Sequence, residues 1–237
     1  MATPRKIRCT VDRLTDHGGR VYTVEMIPDV PAPRFQPGQF LHLAIDSFDP
    51  SGFWPESRVF SIASRPDQRD RLRICYSVKG SYTQRMENEI GIGREVWVKL
   101  PYGEFTVGGS AETVLFGGGT GFAAYSAYLG GLSADHSQPL HILYGARTPE
   151  LLIFRNEAEA VARRVPATKL VLVAESAAPA PRGVQGVLSA ALIWNSLHDP
   201  SRTIFYLSGP PVMLRALTQQ LCDRGVTTER IRIDAWE

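Results

Sequence analysis

The sequence has few cysteines, and they lie far apart. Cys9, Cys75 and Cys222 are the three that occur in 237 residues, and no CxxC pair is present. This excludes an iron–sulfur or zinc site ligated by the cysteines of this chain alone, and it gives no disulfide framework. The five histidines form no HExxH motif, and no GxSxG supplies a hydrolase nucleophile. We therefore expect no metal site, and the cysteine usage fits a reducing cytoplasm.

Long apolar runs and an excess of one charge are also absent. Lys and Arg number 26 against 24 Asp and Glu, so the net charge is +2, which gives no case for a nucleic-acid partner. The N-terminal stretch MATPRKIRCTVDRL has no apolar core of signal-peptide length. Residues 113–134 carry no charge, but glycines interrupt them repeatedly, so strand–turn–helix describes them better than a membrane span. We expect neither nucleic acid nor membrane as a partner.

The first hundred residues have the pattern of short strands separated by turns. Residues 71–78 alternate between polar and apolar side chains, as in a half-buried antiparallel strand. The predicted strands are 5–13, 20–27, 39–45, 57–64, 71–78 and 95–100. Six such strands with irregular connections favour a six-stranded antiparallel β-barrel. A short helix is predicted over 81–90, with Ser81 as its cap.

The pattern changes after residues 101–110, where strand-length apolar runs begin to alternate with helical segments. The predicted strands are 113–116, 140–144, 170–173, 204–207 and 230–233, and the predicted helices are 120–132, 155–164, 188–197 and 211–223. This alternation predicts a five-stranded parallel sheet of Rossmann-like type, covered on both faces. The sequence thus predicts two domains, a barrel over residues 1–108 and an α/β domain over residues 109–237.

The stretch RVFSIAS, residues 58–64, is a candidate ligand-binding strand in the first domain. Because side chains alternate along a strand, Arg58 and Phe60 share one face, and Val59 and Ser61 share the other. An arginine and an aromatic ring on one face offer a cation to a phosphate and a flat surface to a ring system. From these residues alone, the alternative is an ordinary barrel strand with a solvated arginine.

Three further motifs stand beside predicted helices or strand ends. FGGGTG, residues 116–121, follows an apolar strand and opens a helix; it either admits a phosphate to the helix N-terminus or is a tight turn without a ligand. KGSYT, residues 79–83, either holds a pyrophosphate or simply caps a helix. SGPPVM, residues 208–213, ends a strand at the same sheet edge as the glycine loop, or is only a rigid turn.

The order of these motifs resembles one known superfamily. RVFSIAS, KGSYT, PYGEF, GGGTG, YGARTPELLIF and SGPPVM follow one another as in the ferredoxin–NADP reductase superfamily. More narrowly, nearly the whole chain is similar to the FAD- and NAD(P)H-binding reductase part of bacterial oxygenase systems. The resemblance implies an FAD-binding barrel domain followed by an NAD(P)-binding α/β domain.

The resemblance also implies roles for individual residues. Arg58 would pair with the FAD pyrophosphate, Phe60 would stack on the flavin, and Ser61 would hydrogen-bond near its reactive nitrogen. The other implied FAD-binding residues are Val59, Cys75, Tyr76, Ser77, Val78, Gly80, Ser81, Tyr82 and Thr83. The implied NAD(P)-binding residues are Gly119, Thr120, Gly121, Tyr144, Gly145, Arg147, Gly209 and Pro210. Trp236 would cover the flavin face that the nicotinamide reaches, and Ser61, Ser208 and Glu237 would act in hydride transfer.

The sequence departs from the superfamily pattern at two positions. Phe60 stands where Tyr is common, which keeps the stacking ring and loses a hydroxyl. Ser208 stands where relatives usually have a Cys near the nicotinamide, and a hydroxyl is smaller and less polarizable than a thiol. The chain also has neither the cysteines nor the length for an iron–sulfur domain, so a one-electron acceptor would be another molecule.

The implied function is an FAD-dependent NAD(P)H oxidoreductase that passes electrons to a separate acceptor protein, which is a ferredoxin, a flavodoxin or an oxygenase component. Two alternatives stay open: a reductase of free flavin or small acceptors, and a flavin-binding electron-transfer or regulatory subunit whose nicotinamide site has decayed. Glu175, after the third α/β strand, favours NADH because a carboxylate repels a 2′-phosphate. Basic residues of the barrel half can attract an acidic partner; they are Arg34, Arg65, Arg71, Arg73, Lys79 and Arg85. The oligomeric state stays open.

Overall fold

The computed structural model of this chain describes residues 3–109, 111–179 and 183–234. The chain divides into two compact units, Met1–Thr106 and Val107–Glu237. This division falls close to the domain boundary that we predict after residue 108. Trp236 and Glu237, to which the sequence assigns roles, lie outside the described residues.

The first unit is a nearly closed antiparallel barrel, which confirms the predicted fold. Its strands are β1 (Arg5–Asp16), β2 (Val21–Pro28), β3 (Phe40–Ala44), β4 (Arg58–Ser61), β5 (Leu72–Ser77) and β6 (Glu95–Tyr102), and its helix is α1 (Ser81–Glu89). The strands lie in the order β4-β3-β6-β1-β2-β5, and every neighbouring pair is antiparallel. The backbone N–H of Ala63 donates to the carbonyl of Arg73 at 2.8 Å. This bond brings the chain after β4 against β5, so the two edge strands nearly close the sheet.

Alternation along the strands builds the core of the barrel. In β1, Ile7, Cys9 and Val11 are buried, and the residues between them are exposed or half-buried. Tyr82 of α1 belongs to the same core, and its hydroxyl donates to the carbonyl of Leu43 at 2.8 Å. The helix is therefore fixed against β3, and its first turn stays close to the chain that enters β4.

The start of α1 differs in one detail from the prediction. Ser81 is the first helical residue rather than the cap, because the extended residue before the helix is Gly80. The hydroxyl of Thr83 accepts hydrogen bonds from the backbone N–H groups of Lys79 at 2.9 Å and Gly80 at 3.1 Å. The prediction of Ser81 as the cap is therefore wrong, since the hydroxyl that satisfies this turn lies two residues further on.

The second unit is a parallel α/β sheet. Its strands are β7 (Thr113–Gly118), β8 (Leu140–Ala146), β9 (Thr168–Ala174), β10 (Val184–Gln185), β11 (Ile204–Ser208) and β12 (Ile231–Ile233), and its helices are α2 (Ala123–Gly131), α3 (Arg155–Arg164) and α4 (Pro211–Cys222). The strand order is β10-β9-β8-β7-β11-β12, with every neighbouring pair parallel. The prediction of five strands is wrong because the sheet has a sixth strand, the short β10. Its two residues pair with the end of β9. A two-residue strand leaves no readable pattern in a sequence.

The helix predicted over residues 188–197 is also wrong. Two 3-10 turns, Ala190–Leu192 and Trp194–Ser196, stand in its place. Ile193 between them departs from helical angles, and the residues that follow it, Trp194, Asn195 and Ser196, have only modest helix propensity. The side chain of Gln220 accepts the backbone N–H of Ala190 at 2.9 Å, so α4 holds the first turn in place without a helix.

The described part of the chain has neither a membrane-spanning helix nor a cluster of metal ligands. No helix there has both the length and the apolar character that crossing a membrane requires. The same residues hold no group of three or more His, Cys, Asp or Glu side chains placed for a metal ion. Cys9 is buried in the core of the barrel. Burial raises the pKa of its thiol to about 12, so the thiol stays protonated and is a poor nucleophile.

Candidate functional site

The strand order of the second unit reverses at β7, and this reversal marks a place for a ligand. From β7 the chain steps outward through β8, β9 and β10, and it then returns to place β11 on the other side of β7. In open α/β sheets, ligands bind beyond the carboxyl ends of the strands at such a switch point. Here those ends are residues 117–121, where β7 ends and turns, and residues 208–210, where β11 ends and turns. We call these two turns together the carboxyl edge.

The two turns of the carboxyl edge approach each other more closely than side chains allow. A Cβ atom on Gly121 would lie 2.6 Å from both the Cα and the backbone N of Gly209. A Cβ atom on Gly118 would lie 2.5 Å from the sulfur of Met213 and 2.9 Å from Cδ of Pro210. Gly119, between these two, has a left-handed φ of +54° and open space around it. The glycine motif thus combines close packing at its ends with exposed backbone in its middle.

A buried hydrogen-bond chain connects the carboxyl edge to the last described residue. The Ser208 hydroxyl lies 2.8 Å from the carbonyl oxygen of Gly121 and 2.8 Å from Oδ2 of Asp234. Ser208 and Asp234 are buried, with 2% and 4% of their surfaces exposed. Parallel pairing of β11 with β12 sets Leu207 opposite Ile233, and this register brings the next residues, Ser208 and Asp234, side by side.

The ends of β8 and β9 flank the carboxyl edge. Tyr144 is fully buried, with its ring stacked on Phe122 at a centroid distance of 4.1 Å, so its side chain belongs to the core. A Cβ atom on Gly145 would lie 2.7 Å from Cγ of Leu188, so this glycine makes room for packing. Arg147, in contrast, is exposed just beyond β8 and offers a cation at this edge.

Glu175, from which the sequence predicts a preference for NADH, lies close to Arg147 along the chain ends of neighbouring strands. Glu175 is exposed directly after β9. The backbone N–H of Ser176 donates to the carbonyl of Arg147 at 3.0 Å. A carboxylate and a guanidinium are therefore carried by neighbouring strand ends.

In the barrel, the predicted phosphate-binding arginine sits on an aromatic ring. The guanidinium of Arg58 lies 4.7 Å from the centroid of the Tyr82 ring, and it donates to the carbonyl of Ser57 at 2.9 Å. It also forms an ion pair with Oε1 of Glu56 at 2.8 Å. Both partners are about half exposed, so the pair is weak and exchangeable.

The other predicted residues of β4 lie beside this arginine. Phe60 is half-buried, packs against the barrel core, and has its ring 6.1 Å from that of Tyr76. Val59 and Ser61 are also half-buried. We call Arg58, Phe60 and the first turn of α1 the Arg58 face.

The remaining predicted FAD-binding residues divide into buried and accessible ones. Cys75, Tyr76 and Tyr82 are buried, and burial raises the pKa of the Tyr82 hydroxyl to about 12. The accessible ones are Ser77, Val78, Gly80, Ser81 and Thr83, which are half-buried or exposed. A Cβ atom on Gly80 would meet nothing within 4 Å, so space is open in front of the first turn of α1.

A second polar cluster lies at the opposite, amino edge of the parallel sheet. The Glu112 carboxylate accepts hydrogen bonds from Nε2 of His141 at 2.8 Å, from Nδ1 of His198 at 3.0 Å and from the hydroxyl of Thr203 at 3.0 Å. Burial raises the pKa of Glu112, but these bonds outweigh it and hold the pKa at about 2. Burial lowers the pKa of His141 despite its contact with Glu112. This cluster fastens the starts of β7, β8 and β11, away from the carboxyl edge.

Comparison with known proteins matches part of the second unit to a family model and most of the chain to named relatives. Residues 115–219 match the family of the oxidoreductase NAD-binding domain. Over 96% of its length, the chain is 29% identical to the reductase component of propane 2-monooxygenase from Rhodococcus jostii, of which it covers 63%. The chain spans about three fifths of the length of the curated relatives that it matches.

Solved structures share the fold of both units. The cytochrome P450 reductase GcoB of Amycolatopsis superposes with a TM-score of 0.83 at 23% identity, over 98% of this chain and 70% of that one. A ferredoxin NADP+ reductase from Neisseria gonorrhoeae, solved with bound FAD and NADP, gives a TM-score of 0.77 at 19% identity over 98% of both chains. The chain therefore has the fold of ferredoxin–NADP reductases, and its second unit matches the oxidoreductase NAD-binding domain.

Two residues that contact the predicted site residues are not predicted from the sequence. Asp234 follows a parallel strand at the same sheet edge as Ser208, and an acid directly after a predicted strand is the signal in the sequence that points to it. Glu56, which pairs with Arg58, has no comparable signal, because two charges two residues apart are common on any exposed loop. Both residues matter because each contacts a side chain to which the sequence assigns a role.

Proposed function

We propose that this chain is an FAD-dependent NAD(P)H oxidoreductase that passes electrons to a separate acceptor protein. The observation that carries the proposal is the carboxyl edge, where Gly118, Gly121 and Gly209 bring two turns together at the switch point of the sheet. Because a family of NAD-binding oxidoreductase domains matches this unit, the dinucleotide is the natural ligand of that edge.

The residues of the carboxyl edge fit a nicotinamide dinucleotide. Gly119 and Thr120 present backbone N–H groups in the turn that leads into α2, where a pyrophosphate is favoured. Gly209 and Pro210 form the opposing wall, and Pro211 begins α4 behind them. In this role the two turns bind and orient the nucleotide, while the buried Ser208 supports them from beneath.

The Arg58 face fits FAD. The Arg58 guanidinium would exchange Glu56 for the FAD pyrophosphate, a doubly charged partner that it can bind in bidentate fashion. The open space before Gly80 and the N–H groups at the start of α1 would receive the same phosphates. Phe60 would pack against the flavin ring, and the Ser61 hydroxyl would donate a hydrogen bond to its edge. When bound, FAD supplies the chemistry: it accepts a hydride from the nicotinamide and releases the electrons to an acceptor.

We assign NADH as the preferred nucleotide. Glu175 is exposed directly after β9, and its backbone N–H donates to the carbonyl of Ala146, the residue before Arg147, at 3.2 Å. A carboxylate in this place disfavours a 2′-phosphate and suits a 2′-hydroxyl. The single arginine alone would favour NADPH, so the preference depends on Glu175.

The proposed acceptor is a separate protein, of the kind to which the reductase components of oxygenase systems pass electrons. One relative is named as a reductase component of a monooxygenase, and one solved structure is a cytochrome P450 reductase. The basic residues give little support for an acidic acceptor. Arg65 pairs with Asp67, and Arg71 and Arg85 also form ion pairs with carboxylates of the same unit.

The test is an anaerobic visible spectrum of the full chain with FAD, recorded before and after NADH and then NADPH are added. A flavin band that NADH bleaches faster than NADPH is the expected result. A chain that takes up no FAD would overturn the proposal, and so would a flavin band that neither nucleotide bleaches. Turnover with free FMN or FAD in the absence of a protein acceptor would instead favour the free-flavin reductase.

A further inference from the structure

The turn between β1 and β2 contains an arginine in a conformation that suits glycine. Gly18, Gly19 and Arg20 follow one another with left-handed φ angles of +77°, +58° and +61°. Glycine adopts such angles freely, whereas in arginine the Cβ atom crowds the backbone. Among the residues that the structure describes, Arg20 is the one residue other than glycine with a positive φ. A strained conformation of this kind persists only where surrounding contacts hold it.

The side chain of Arg20 is bound to helix α1. Its Nε donates to Oε1 of Glu87 at 3.1 Å, and its Nη2 donates to Oε2 of the same carboxylate at 2.5 Å. The hydroxyl of Tyr22 donates to Oε1 of Glu87 at 3.0 Å. Three hydrogen bonds therefore hold one carboxylate, of which 19% is exposed. A bidentate pair of this geometry is stronger and more directional than a single contact between charges, and glycine in place of Arg20 could not form it.

The backbone of Arg20 binds the chain just before the turn of residues 79–83, to which the sequence assigns the phosphates. Its carbonyl accepts the N–H of Val78 at 3.0 Å. On the other side of this turn, Glu87 follows Thr83 by one turn of α1. Arg20 therefore holds the turn of residues 79–83 at both ends, with its carbonyl before the turn and its guanidinium after it.

The same contacts extend to the aromatic side of the Arg58 face. The ring of Tyr22, whose hydroxyl shares Glu87 with Arg20, is stacked on the ring of Tyr76 at a centroid distance of 5.3 Å. The ring of Tyr76 lies 6.1 Å from that of Phe60. A carboxylate fixed by Arg20 thus also fixes the position of a ring that supports Phe60.

We propose that Arg20 is a positioning residue of the FAD site, which holds the turn of residues 79–83 where it can receive the phosphates of the cofactor. The inference rests on the proposed function, because it takes FAD as the ligand of the Arg58 face. It also explains why a strained arginine stands at this position. Only a residue with a left-handed backbone and a long cationic side chain makes the contacts to Val78 and Glu87 together.

The charge of Glu87 allows positioning to be told apart from simple electrostatics. Its hydrogen bonds with Arg20 lower the pKa of this carboxyl below its ordinary value of 4.5, so the group is ionised at neutral pH. If charge alone mattered, E87Q would strengthen FAD binding, because it removes a negative charge near the phosphates. If the bidentate pair positions the turn, E87Q weakens FAD binding, because an amide cannot accept both hydrogen bonds of the guanidinium.

The test titrates FAD into the full chain without cofactor, with flavin fluorescence as the measurement, and records the melting temperature of each variant before FAD is added. We expect R20G, R20Q and E87Q each to raise the dissociation constant of FAD about fivefold. In R20G the melting temperature should change little, because glycine relieves the strain at φ +61° while the ion pair is lost. A weaker affinity for FAD at an unchanged melting temperature is the signature of a positioning role.

R8Q is the matched control for R20Q. Arg8 lies on β1 of the same barrel and is also about half exposed, but it pairs with Asp29 and Glu95, which lie outside α1. R8Q should bind FAD like wild type. FAD binding by R20G and R20Q as tight as that of wild type, a tighter binding by E87Q, or an equal loss in R8Q would overturn the inference alone. A wild-type chain that takes up no FAD would overturn the proposed function, and the inference with it.

Discussion

The carboxyl edge gives a sharp prediction at Gly121. We expect G121A to disturb both the stability of the second unit and its binding of a nicotinamide dinucleotide. Gly121 has no left-handed φ, but an added Cβ would lie 2.6 Å from the Cα and N of Gly209 and 2.8 Å from the carbonyl carbon of Ser208. All three contacts are with backbone, which cannot rotate away, so the two turns must move apart.

The expected loss of stability in G121A follows from overpacking at the carboxyl edge. Inserting a methyl group into closely packed structure costs about 1–3 kcal/mol. A chain of this length loses about 2–4 °C of melting temperature per kcal/mol. Separation of the turns also misplaces the groups that would hold the nucleotide, so we expect the dissociation constant of NAD+ to rise at least about tenfold.

The matched control is another glycine of the same unit. Gly131 lies at the end of α2, and a Cβ atom there would meet nothing within 4 Å. Because alanine is favoured over glycine in a helix by up to about 1 kcal/mol, G131A should be neutral or slightly stabilising and should bind NAD+ like wild type. The assays are thermal unfolding and calorimetric titration with NAD+. A G121A protein that matches wild type in both would refute the reasoning from close packing.

Three other predictions concern charged groups. Because the pKa of Glu112 is held at about 2, below its ordinary value of 4.5, its ionised form contributes stability above pH 4.5 that is lost as the pH falls toward 2. Urea unfolding at several pH values should show this loss in wild type and not in E112Q, and a parallel loss in E112Q would contradict it. R58Q should raise the dissociation constant of FAD about tenfold or more, measured by flavin fluorescence, whereas R65Q, whose guanidinium pairs with Asp67, should stay near wild type. E175Q should lower the ratio of kcat/KM for NADH to that for NADPH by about threefold. An unchanged ratio would show that Glu175 does not determine the cofactor preference.

The fold was predictable because its signals are local and repeated. Alternation in the barrel strands and buried apolar runs in β7, β8 and β11 each identify a strand without reference to the rest of the chain. The failures occur where the signal is short or comes from elsewhere. β10 has two residues and forms only because the end of β9 is there to pair with it, and the 3-10 turn at Ala190 depends on Gln220, which is distant in sequence.

The candidate site was predictable only in part, for a similar reason. Glycine loops and RVFSIAS point to ligands through their composition. The partners of these residues are set by register and packing: Asp234 reaches Ser208 because β12 pairs with β11. The sequence likewise cannot tell that the ring of Tyr144 is stacked inside the core, while Arg147, three residues later, is exposed.

The strand order of the second unit also has a consequence for how the chain is made. Ser208 and Gly121, which meet at the carboxyl edge, are 87 residues apart in sequence, and β11 leaves the ribosome long after β7. Until then the buried, apolar β7 has one hydrogen-bonding edge without its permanent neighbour, and such an edge invites pairing with other chains. The second unit is therefore most open to aggregation between the synthesis of β7 and that of β11. Since a ligand that binds only the native state stabilises it, cellular NAD(P)H would act on this unit only after β11 has paired.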